Sequence, residues 1–166
     1  MRRLALLSLT VLVLAGCGDS KESATTTTTA QVAGPAAAVG GGTTLYRGGD
    51  WAVVVKGGEA VALHRSGGEW APDRSGRVKV EMLGPGPVST PTPQVAAQLS
   101  AKTPLVESGL WVDGVELLAK GGGIAPTRGT IYGAPDGPLA KGRHLAVAYA
   151  RTATDATAVA RPFRVR

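Results

Sequence analysis

Apolar positions fall into three regimes along the chain. Leu4 to Ala15 is an apolar run broken only by Ser8 and Thr10, Gly18 to Gly42 has no apolar periodicity, and from Thr43 onward Val, Leu and Ala recur in short runs punctuated by Gly, Pro and Asp-Gly. The third regime carries no helical stripe. Short apolar or alternating segments bounded by turn formers predict an all-β domain over residues 43–166. Trp51 to Val55 and Glu59 to His64 flank Lys56-Gly57-Gly58, a spacing that predicts a hairpin, and Glu69-Trp70 follows a second Gly-Gly. Arg77 to Leu83 alternates charged and apolar side chains and predicts a strand with one wet face.

Gly84 to Pro87 and Ser89 to Pro93 hold breakers that no central strand or helix can cross, so a seam is expected there. Beyond it, strands are expected at Gln94 to Ser100, Ser108 to Val112, Val115 to Leu118, Gly129 to Tyr132, Arg143 to Ala150 and within Thr157 to Val165. Pro162 gives the last of these an edge position or a bulge. Gly121-Gly122-Gly123 leads into Ile-Ala-Pro and is expected to be a loop.

The segment Leu145 to Ala150 stands apart. Leu145, Val147 and Tyr149 lie on one face and Ala146, Ala148 and Ala150 on the other, so neither face is polar. A strand of a two-layer sandwich buries one side; the second must be covered by another element or stand as an exposed patch. Two expectations follow. Either Thr43 to Gly76 covers the Leu145/Val147/Tyr149 face, or that face is a candidate interface.

The apolar run of Leu4 to Ala15 follows the basic start Met1-Arg2-Arg3 and holds 12 residues, where a spanning helix needs about 20. It fits a signal peptide over residues 1–16. Leu14-Ala15-Gly16-Cys17, directly after that run, resembles the lipobox of bacterial lipoproteins. The resemblance implies that Cys17 is lipidated through its thiol, with palmitate among the acyl chains. The mature chain is then held on the extracytoplasmic face of the cell membrane. Residues 17–42, with five consecutive threonines and no aromatic side chain, read as a flexible tether.

Within the domain, Leu110-Trp-Val-Asp-Gly114, Gly142-Arg-His144 and Pro162-Phe-Arg-Val165 occur in the order found in bacterial immunoglobulin-like modules, which this region resembles. The resemblance implies an immunoglobulin-like β-sandwich over residues 77–166, with an additional N-terminal β-hairpin over 43–76. The sequence departs from the pattern after the His144 strand, where Thr152-Ala-Thr-Asp155 stands in place of Asp followed by Gly-Asn.

Composition narrows the chemistry. One cysteine, assigned to lipid, and two histidines eighty residues apart exclude a disulfide framework and argue against an all-protein metal cage, so no cofactor or metal is expected. The sequence holds neither G-x-S-x-G nor G-x-x-x-x-G-K-[ST], so a catalytic site is not expected. Asp113, Glu116 and Asp136 read as turn formers, and His144 and His64 as partly buried structural residues. Of 18 Lys and Arg, 16 remain after the leader, against 12 Asp and Glu, for a net +4. The basic residues lie singly among the strands, which argues against nucleic acid and leaves weak, salt-sensitive attraction to anionic lipid or wall polymer.

The sequence thus predicts a non-catalytic binding or structural module on a lipid anchor, partnered by the membrane and by an envelope protein or wall polymer. The alternative is a small-molecule or ion-binding envelope protein with a pocket between hairpin and sandwich, lined by Trp51, Trp70 or Trp111.

Overall fold

A computed structural model describes residues 33–117 and 120–166, with the side chains of 120–125 left aside. The leader, Cys17 and the first part of the expected tether lie outside the described residues.

Four strands form the first sheet: β1 (Thr43–Gly48), β2 (Trp51–Lys56), β3 (Glu59–Ser66) and β4 (Glu69–Pro72), antiparallel and in chain order. Its tight turns are written in the sequence. Gly57 (φ 60°) and Gly58 (φ 85°) link Lys56 to Glu59, and Gly67 (φ 59°) and Gly68 (φ 89°) link Ser66 to Glu69. Two consecutive residues at positive φ match the twist of the flanking strands, a conformation glycine adopts without steric cost. The expected N-terminal hairpin is therefore the centre of a four-stranded sheet. Thr43–Gly48 joins it because β2 would otherwise leave a backbone edge open, and because Leu45 and Tyr46 supply the apolar surface that a hairpin alone lacks.

The second sheet has the order β10 (Lys120–Ala125), β11 (Arg128–Gly133), β7 (Val95–Ala101), β5 (Val78–Gly84). The third runs β6 (Val88–Ser89), β13 (Ala156–Val165), β12 (Gly142–Arg151), β8 (Glu107–Val112), β9 (Val115–Glu116). The chain crosses between these sheets at the expected seam, where β6 pairs parallel with the end of β13. Pro162 lies just short of that pairing, which begins at Arg164, so its missing N–H faces no neighbour. The glycine triplet 121–123 is not a loop. It lies in β10, with Gly121 opposite Ile131 and Gly122 opposite Thr130, because ladder pairing with β11 overrides glycine's weak strand propensity.

The third sheet is the middle layer. On one side Leu110, Ala146, Ala148, Ala150, Phe163 and Val165 pack against Val78, Met82, Val95, Leu99 and Ile131 of the second sheet. On the other, Trp111, Val147, Tyr149 and Ala156 pack against Trp51, Val53 and Ala62 of the first. This accounts for a strand, β12, that is apolar on both faces. The all-β architecture is a stack of sheets, antiparallel except for the short β6–β13 pair, and the second and third face each other as in a β-sandwich.

The outer face of the first sheet also carries apolar side chains: Ala52, Val54, Leu63 and Trp70. They are covered by residues assigned from sequence to the tether. Pro35 is buried, a single helical turn α1 (Pro35–Ala38) follows, and Ala36 and Val39 pack on that face. Lys56 Nζ donates to the carbonyls of Val39 (2.7 Å) and Gly40 (3.2 Å). Ala33 to Gly42 thus belongs to the domain and not to the spacer. The physical reason is that the sheet's second apolar face needs a cover, and small residues preceded by proline supply one at low entropic cost.

Candidate functional site

The Asp113-Gly114 turn between β8 and β9 places Asp113 at φ 50° and Gly114 at φ 88°, the pair of positive angles that the two-residue turn requires. The turn faces the start of β12. Leu145 N–H donates to Asp113 Oδ1 (2.9 Å), and Asp113 N–H donates to the Leu145 carbonyl (2.9 Å). Between them sits His144, its side chain only 9% exposed. Its Nδ1 lies 2.6 Å from Asp113 Oδ2 and its Nε2 lies 2.7 Å from the Ala140 carbonyl.

Both ring nitrogens face acceptors, so both bonds form only when the ring is an imidazolium that donates twice. The hydrogen bond to Asp113 and that to Ala140 raise the His144 pKa above its ordinary value, against the opposing effect of burial. A His–Asp pair at this distance also supplies two of the three members of a catalytic triad, but the nitrogen that would take a nucleophile's proton is occupied by the Ala140 carbonyl. His144 here is a clamp. It ties the β8–β9 turn and the segment before β12 to one strand.

Beside the clamp lies a cleft of about 370 Å³, open to solvent, between the β8–β9 turn and the segment from Ala134 to Leu139. Val112, Val115, Leu117 and Leu139 give it apolar walls, and Asp113, Glu116 and Asp136 all border it. The three carboxylates read from sequence as isolated turn formers are thus gathered around one opening. Among the described residues no group of three His, Cys, Asp or Glu side chains is arranged to hold a metal ion.

The other sequence-derived site residues lie elsewhere. Val147 and Tyr149 are each 1% exposed beneath the first sheet, with Leu145 at the margin of the same cluster. The candidate interface Leu145/Val147/Tyr149 is therefore an internal packing face in this fold. It is covered because β1 to β3 carry a matching apolar side. Trp51, Trp70 and Trp111, the residues expected to line a pocket between hairpin and sandwich, are all buried, Trp51 and Trp111 in the cluster between the first and third sheets and Trp70 on the outer face of the first. Trp51 stacks on His64 with ring centroids 4.3 Å apart, which gives His64 the structural role expected of it.

One polar cluster was not foreseen. Tyr46 donates from its hydroxyl to Glu107 Oε1 (2.5 Å), and Arg151 Nε donates to Glu107 Oε2 (2.5 Å), joining the first sheet to the third. Burial, then the bond to Glu107, pushes the Tyr46 pKa up to about 12. Tyr149, its ring 5.4 Å from Tyr46, is raised further, chiefly by burial. Only the register of β8 against β12, with Glu107 opposite Arg151, hints at this cluster in the sequence. Tyr46 comes from a segment more than sixty residues away.

Comparison of the sequence with protein-family models and with curated proteins finds no match.

Proposed function

We propose that this chain is a bacterial lipoprotein, lipidated at Cys17, that presents an immunoglobulin-like β-sandwich as a non-catalytic binding or structural module on the extracytoplasmic face of the membrane. The observation that carries the anchoring is the sequence Leu14-Ala15-Gly16-Cys17 placed directly after a 12-residue apolar run and before a polar stretch. The sandwich reading is supported by strand order. The sheet β5–β7–β11–β10 faces a sheet whose centre is β13–β12–β8. Labelled in chain order, these are A-B-E-D against G-F-C, the arrangement of immunoglobulin domains, with β6 and β9 as short additions.

The non-catalytic reading is supported by the commitment of both His144 nitrogens to structural bonds. The first sheet is an accessory layer that converts a two-layer sandwich into a three-sheet stack. The test is metabolic labelling with palmitate in a bacterial host, followed by detergent-phase partitioning. The chain should take up label and enter the detergent phase, and Cys17→Ser should do neither, because serine lacks the thiol. Label retained by Cys17→Ser, or an unlabelled parent chain, would overturn the anchoring.

A further inference from the structure

Cations that lie singly in sequence converge at one end of the middle sheet. The antiparallel register of β12 and β13 sets Arg143 opposite Arg164, and β6 comes alongside Arg164 and Val165. Lys141, Gly142, Arg164 and Arg166, with Val88, line a cleft of about 470 Å³ there. Lys141, Arg143, Arg164 and Arg166 are all exposed. Among the described residues the ion pairs use other cations, namely Arg65, Arg77, His144 and Arg151. Like charges directly opposite on neighbouring strands are destabilising, so the Arg143/Arg164 pair costs stability unless an anion lies across it. Asp113, Glu116 and Asp136 border the other cleft, on the β8–β9 flank, and Asp113 is already engaged by His144.

We propose that Lys141, Arg143, Arg164 and Arg166 form a docking surface for the phosphate groups of an anionic phospholipid bilayer. Two observations favour that occupant. Among the described residues these four cations form no ion pair with a side chain, and their charge is opposite to that of lipid phosphates. The leash is also short: with Ala33 to Gly42 packed on the first sheet, only 15 residues separate Cys17 from Ala33, about 55 Å at full extension. A domain held that close samples the bilayer surface continuously, and attraction within a Debye length then decides which face it turns inward. This inference rests on the lipid-anchored reading for its geometry. The surface itself is testable without any acyl chain, so the two fail separately.

The experiment uses residues 31–166, the compact unit that holds all three apolar clusters and lacks both the leader and Cys17. It is sedimented with vesicles of phosphatidylcholine alone or mixed with phosphatidylglycerol. Binding is expected only to the anionic vesicles, falling with salt. Arg143→Gln and Arg164→Gln should each weaken it about fivefold, and the pair about 25-fold. The same neutralisation at Arg74 and Arg128, exposed elsewhere, should change it less than twofold. Melting curves confirm that each variant is folded.

Equal binding to neutral vesicles would overturn the proposal, as would equal losses from the Arg74 and Arg128 variants. Displacement by inorganic phosphate beyond that by chloride at equal ionic strength would reassign the surface to free phosphate. Preference for soluble poly(glycerol phosphate) over vesicles would reassign it to a wall polymer.

Discussion

The clamp at His144 makes stability depend on pH in a direction that the geometry dictates. The ring bridges a carboxylate and a carbonyl, so the folded state holds a proton that the unfolded chain releases near pH 6.5. A folded-state pKa above that value contributes stability that is complete below pH 6.5 and is lost as pH rises through the folded value. Hydrogen bonds to charged groups contribute roughly 1.5–3 kcal/mol. Because the Asp113 side chain is 44% exposed and its charge partly screened, about 1–2 kcal/mol is the appropriate size.

The assay is urea denaturation across a pH series, read by tryptophan emission, since Trp51, Trp70 and Trp111 are all buried. His64→Gln in every chain leaves His144 as the one histidine among the described residues. The midpoint should fall as pH rises above 6.5, and His144→Gln should remove that slope. Asp113→Asn, which tolerates the positive φ at this position, should lower the His144 pKa in an NMR titration. A His144 pKa at or below 6.5, or an unchanged slope in His144→Gln, would refute the clamp.

Phe163, 3% exposed in the core between the second and third sheets, should lose about 3–5 kcal/mol on replacement by alanine; a urea-derived loss below about 1 kcal/mol would mean that the register of β13 is wrong. A chain beginning at Thr43 should melt clearly below one beginning at Ala33, because it uncovers Ala52, Val54, Leu63 and Trp70; equal melting temperatures in calorimetry would return Ala33 to Gly42 to the tether.

The two clefts at one end of the middle sheet were only partly legible in the sequence. Arg143 and Arg164 become partners in any hairpin centred on Ala153-Thr154, so their convergence follows once β12 and β13 are paired in register. The Asp113–His144 bond spans thirty-one residues, and nothing in the spacing announces it. Asp113, Glu116 and Asp136 each looked like turn residues because each does end or follow a strand. Their common opening arises from how the β8–β9 turn lies against the segment before Leu139.

Local periodicity by itself determined the all-β character, the Gly-Gly and Asp-Gly turns, and the two apolar faces of β12, because turn chemistry and alternation act over a few residues. It could not determine what covers those faces. Coverage is a long-range matter: any apolar side of sufficient area satisfies it, and choosing among them depends on pairings across the whole chain. The tertiary structure made that choice. It set the third sheet in the middle, laid Trp51 and Val53 over Val147 and Tyr149, and drew Pro35, Ala36 and Val39 onto the outer face, since each uncovered apolar surface is less costly buried than wet.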